Sequence, residues 1–64
     1  MNEMTTADIL DLALKKEQAA YRFYDRMLSQ TKVKMLTDLL LQLKEEEQKH
    51  VIMVRKKIAQ MNLG

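Results

Sequence analysis

The stretch Lys44-Glu45-Glu46-Glu47-Gln48-Lys49-His50-Val51 decides how this chain is read, because two of its polar side chains fall where apolar ones are expected. It lies inside a long helical pattern. With Glu47 set at zero and each residue advancing the helix by roughly 100°, seven apolar residues fall within roughly 40° of it: Leu36, Leu40, Leu43, Val51, Val54, Ile58 and Met61. His50 follows one turn along, on the same side. A carboxylate and an imidazole on an apolar stripe cost several kcal/mol if buried unpaired. The pattern therefore demands a compensating partner.

Working outward, the chain has 64 residues, no proline, one glycine at its last position and 47% apolar residues. That composition describes one small all-α unit. A chain of this size is short for a self-sufficient core and leans on disulfides, metals or association. It has no cysteine, which excludes disulfides and thiolate metal sites. Metal held by oxygen and nitrogen, or self-association, is left. No apolar run approaches the ~20 residues of a membrane span and no signal peptide is visible, so the expected location is cytoplasmic and no membrane partner is expected. The net charge is +2, with Lys and Arg interspersed among acids, which gives no basic block for nucleic acid.

Upstream, Thr5 or Thr6 followed by Ala7-Asp8 reads as a helix start after a frayed Met1–Thr5 lead-in, and Thr5 with Asp8 has capping-box spacing. Helix 1 is predicted over about 7–28, with Leu10, Ala13, Leu14, Ala20, Tyr21, Tyr24 and Leu28 as its apolar stripe. Glu17 sits in the middle of that stripe. Its neighbours one turn away, Ala13 and Ala20, are small and leave room beside the carboxylate. A tight turn is predicted over about 29–31, with Ser29 or Thr31 capping the second helix. Helix 2 is predicted over about 32–61, closing with Arg55, Lys56 and Lys57 near its negative end. Folded as an antiparallel two-helix hairpin, the chain brings Glu17 and Glu47 to nearly the same height, since each lies about fifteen residues from the turn's centre.

A hairpin cannot bury the apolar face of both helices alone, so two hairpins are expected to pair as a four-helix bundle. Two-fold symmetry then places four carboxylates and two histidines in one layer. Carboxylate bundles that hold two iron or manganese ions use one Glu from each of two helices and a Glu-x-x-His from each of the other two. Doubled, this chain supplies that set, and four negative charges balance two divalent cations. At i and i+3, Glu47 and His50 can reach one ion from one helix face.

The pattern around Glu17 (Asp8-Ile9-Leu10, then Lys16-Glu17-Gln18-Ala19-Ala20-Tyr21-Arg22-Phe23-Tyr24), joined to Glu45-Glu46-Glu47-Gln48-Lys49-His50, resembles one half of a rubrerythrin-type member of the ferritin-like superfamily. The resemblance runs from about residue 7 to 60. It implies that Glu47 is a metal-bridging carboxylate, His50 a terminal nitrogen ligand and Glu17 a terminal or chelating carboxylate. Tyr24 is a candidate to orient a carboxylate through its hydroxyl. Family members typically carry two such halves in one chain; one half here implies that a homodimer completes the site. This is similar to short-chain encapsulated ferritins, which build their iron site at a subunit interface, and a protein compartment is a further expected setting. No C-terminal targeting extension is expected after Asn62-Leu63-Gly64, and with no cysteine among the 64 residues no cysteine-ligated iron domain is expected either. The implied function is a non-haem di-iron centre, two iron ions per dimer, that oxidises iron or reduces O2 or peroxide. Manganese or zinc could take the same ligands.

Each residue also has an ordinary reading. His50 alone reads as a structural histidine, Glu47 as part of a solvated acidic run, Glu17 as an ion-pair partner of Lys16 or Arg22, and Tyr21 and Tyr24 as core aromatics. Their convergence at one height is what favours a metal. The alternatives are a metal-free hairpin dimer that binds RNA or protein through Arg22, Arg26, Lys34, Lys56 and Lys57, and a structural dimerisation module in which the three polar residues set register. Two outer strips (Leu12, Ala19 and Phe23; Leu41, Ile52 and Ala59) suggest that dimers associate further into a ring or cage.

Overall fold

The computed structural model describes residues 3–63 as two antiparallel helices, α1 (Thr6–Leu28) and α2 (Lys34–Leu63). Met1, Asn2 and Gly64, part of the expected lead-in and tail, lie outside the described residues. Thr5 caps α1: its hydroxyl accepts from Asp8 N at 3.1 Å, and the Asp8 carboxylate accepts from Thr5 N at 3.0 Å. Two orphan donors of the helix start are thereby satisfied, and the chain is held from Thr5 onward.

The turn is longer than the spacing suggests. It runs to Val33, so α2 begins at Lys34 instead of about residue 32. Ser29 does not cap α2; its hydroxyl donates back to the Arg26 carbonyl at 2.6 Å and closes α1. Thr31 accepts from Val33 N at 3.2 Å, a local side-chain bond that holds the backbone out of the helix for two more residues. Val33, whose side chain has no acceptor, precedes the first turn of α2. At the far end α2 continues to Leu63, so Arg55, Lys56 and Lys57 sit more than a turn from its end and no basic residue lies in its last turn.

The helices meet along the expected stripes. Leu10, Ala13, Leu14, Glu17, Ala20, Tyr21, Tyr24 and Leu28 of α1 are half-buried against Leu40, Leu43, Glu47, Val51, Val54 and Ile58 of α2. Gln18, Met27 and Lys44 join this seam, whereas Leu36 and Met61 at its ends stay exposed. No described residue is fully buried. The hairpin is a slab of 46 × 28 × 12 Å, one helix diameter thick. Its radius of gyration of 15.0 Å compares with about 10.7 Å for a compact domain of this length. Its surface of 5403 Å² exceeds the about 4,300 Å² of a compact monomer of 7.6 kDa. The excess is comparable to what one partner contributes to an ordinary protein interface.

Helix phase and the observed contacts assign the exposed residues to two faces. On one lie Ile9, Leu12, Phe23, Met35, Leu39 and Met53, each between 47% and 75% exposed, together with His50. On the other lie Gln18, Arg22, Asp25, Lys44, Gln48, Ile52 and Arg55. The two outer strips therefore do not share a face: Leu12, Ala19 and Phe23 leave the slab on the His50 side, and Leu41, Ile52 and Ala59 on the other. No described helix is long and apolar enough to cross a membrane.

Candidate metal centre

Glu17 reaches the seam because it lies four residues before Tyr21 and seven before Tyr24, both on the buried stripe of α1, and because Ala13 and Ala20 leave space around it. Glu47 occupies the centre of the α2 stripe, and His50 comes off one turn later, toward the apolar face. The three converge. His50 Nδ1 lies 3.4 Å from Glu17 Oε2 and 3.5 Å from Glu47 Oε2. One donor atom from each of the three falls within 4.8 Å of the others. Burial is graded across the cluster: the side chains of Glu47, Glu17 and His50 are 16%, 25% and 49% exposed. The carboxylates are thus shielded by the hairpin itself, and the imidazole is only partly covered.

The electrostatics are unbalanced. Hydrogen bonding with Glu17 pushes the Glu47 carboxyl above its ordinary range, and burial and the Glu17 charge add to this against the opposing pull of His50. The same hydrogen bond from Glu47 lowers Glu17, helped by His50 and Lys16 and opposed by burial. Two carboxyl groups this close disfavour each other's ionisation, and the cost falls on Glu47. Even so, Glu47 Oε2 is buried without a hydrogen-bond partner. An orphaned carboxyl oxygen beside a second carboxylate and an imidazole nitrogen is a donor set that a divalent cation fits.

Tyr24 packs edge-on against Phe23, ring centroids 5.6 Å apart, and its hydroxyl makes no hydrogen bond to either carboxylate among the described residues. Tyr21 is the tyrosine with a polar neighbour: Lys44 Nζ lies 5.1 Å from its ring centroid and donates to Asp25 Oδ1 at 2.8 Å. That bond to Asp25 is the main reason the Lys44 amine is held above its ordinary value. The Lys44 and Asp25 pairing was not anticipated from sequence. Lys44 sits one turn before Glu47 at the edge of the stripe, where a lysine can lay its stem along apolar surface, and this is the signal that could have found it.

No curated protein and no solved structure gives a significant match to the chain. The family model described as Rubrerythrin matches residues 8–64, a span that holds both helices almost entire and all three converging side chains. On that match, and with the two-helix architecture described above, the chain belongs to the rubrerythrin family.

Proposed function

We propose that two copies of this hairpin pair through the face that carries His50, forming a four-helix bundle, and that the paired Glu17, Glu47 and His50 side chains hold two iron ions. The family is one of ferritin-like di-iron proteins, which supports iron over zinc or manganese in the same donor set. The observation that carries the reading is the cluster itself: three donors within 4.8 Å of one another, including the buried, unpartnered Glu47 oxygen. A purely structural polar network would be expected to satisfy that oxygen, since an unmade buried bond is costly.

The residues have separable tasks in this proposal. Glu17 and Glu47 supply the negative charge, and across the pair four carboxylates neutralise two divalent ions. Metal competes with protons for the Glu47 carboxyl, whose ionisation is disfavoured, so affinity rises with pH. His50 supplies a neutral nitrogen and, lying on the apolar face, loses its remaining water contact when the second hairpin covers it. Met53, three residues further along the same face, is placed to keep water from the layer once paired. Bound iron would supply electrons to O2 or peroxide, so the proposed activity is iron oxidation or reduction of these oxidants at a site shared between chains.

The test is elemental analysis of protein purified without added metal and again after ferrous loading, combined with its mass in solution. Close to one iron per chain in an even-numbered assembly is expected. A monomer, or a protein without iron after loading, would overturn the proposal.

A further inference from the structure

The face opposite His50 carries a groove of about 330 Å³ along the seam, with Tyr21 and Val51 in its floor and Gln18, Gln48, Arg22 and Arg55 around its rim. The register of the hairpin fixes where these groups stand. Glu17 meets His50 while Lys44 meets Tyr21 and Asp25, so Gln18 and Gln48 face each other across the middle. Arg22 stands one turn toward the connecting loop. Arg55 stands about two turns the other way, ~16 Å from Arg22 along the axis at the backbone, counted at 1.5 Å rise per residue.

These arginines are uncompensated. Among the described residues, Asp11 pairs with Lys15, Asp38 with Lys34 and Asp25 with Lys44, Glu17 and Glu47 lie against His50, and no carboxylate lies within ion-pair distance of Arg22 or Arg55. Lys44, a further cation on this face, is neutralised by Asp25. Two guanidiniums lining one groove from opposite ends can hold one anion between them, and each presents a planar fork suited to a carboxylate. The carboxamides of Gln18 and Gln48 can donate to or accept from the middle of whatever lies there. The volume is at the lower end of the range for small-molecule sites. We propose that this groove binds a small organic dianion with an acid group at each end, of the dicarboxylic acid class. Because it opens on the face away from His50, it is independent of the metal and stays accessible when two hairpins pair.

Calorimetric titration of the iron-loaded protein with succinate, and separately with acetate and inorganic phosphate at constant ionic strength, tests this. Saturable succinate binding at least tenfold tighter than acetate or phosphate is expected. Arg22→Ala and Arg55→Ala should each weaken it tenfold or more, Arg26→Ala on the solvent side should leave it unchanged, and all three should keep their iron. If an alanine variant loses helicity, Arg22→Gln or Arg55→Gln replaces it. No saturable succinate binding, acetate or phosphate binding as tightly as succinate, or an Arg22 or Arg55 variant binding like the parent would overturn the site. Loss of iron binding in the parent protein would overturn the metal proposal and leave this one standing.

Discussion

The two broad faces of the slab are built from the same pair of helices and are chemically opposed. On the groove face, charges find partners within the hairpin, as Lys44 does in Asp25 and over Tyr21, or stand ready for a ligand, as Arg22 and Arg55 do. On the His50 face, large apolar side chains such as Met35, Leu39 and Phe23 lie open to water at 75%, 49% and 47% exposure, with no polar network among them. A soluble surface does not need such a patch, and patches of this kind mark interaction sites. The contrast separates what the chain completes by itself from the face through which the proposed pairing would run. Glu17, Glu47 and His50 sit at the border between them, the carboxylates sheltered within the hairpin and the imidazole turned toward the apolar side.

The strongest way to break the contrast is to place a charge on each face in turn. Leu39→Asp should abolish pairing and with it iron retention, read as a halved mass in solution. Ile52→Asp, similarly exposed at 49% but on the groove face, should leave both the mass and the iron content near the parent values. Equal effects would mean that the faces are not distinct. Next in size, His50→Ala should lower iron oxidation by at least tenfold while its neighbour Lys49→Ala changes it less than twofold, and a similar loss in both would remove the imidazole from the site.

A third prediction concerns pH and the metal-free protein. The Glu47 carboxyl is raised in the fold, so its contribution to stability is present at low pH and is lost as pH rises through that raised value. The Glu17 carboxyl is lowered, and its contribution is lost in the opposite sense, as pH falls below the ordinary range. Between the two, deprotonating Glu47 beside an ionised Glu17 should lower the melting temperature of the apoprotein as pH rises, whereas iron affinity should increase with pH because the metal displaces the same proton. Thermal melts with and without chelator across the acid to neutral range check both signs. The smallest effect belongs to the self-satisfied face: Asp25→Ala should shift the chemical-denaturation midpoint only slightly, since the Asp25 end of the pair is 59% exposed.

Much of this was legible in the helical phase. The positions of Leu40, Leu43, Val51 and Val54 against Leu10, Leu14, Tyr21 and Leu28 follow from a period of 3.6 residues, and because Glu17, Glu47 and His50 ride the same phase, their convergence was legible too. The start of α1 was equally readable, because Thr5 and Asp8 carry both halves of a reciprocal cap within four residues. The start of α2 was not, because Val33 offers no cap and Thr31 spends its hydroxyl on a local bond that propensity does not foresee. Nor was the sidedness of the outer strips. Deciding whether Phe23 and Ile52 leave the slab together requires the handedness of two antiparallel helices as well as the phase of each, and that combination sends them to opposite faces.

That no described residue of the hairpin is sealed from water has a consequence for how the protein must be handled. In the proposed pair, folding of one chain and its meeting with another become a single equilibrium, so dilution acts as a denaturant and the melting point should climb with protein concentration. A sample that looks robust at crystallisation strength would then be largely unstructured at the nanomolar levels of a sensitive assay.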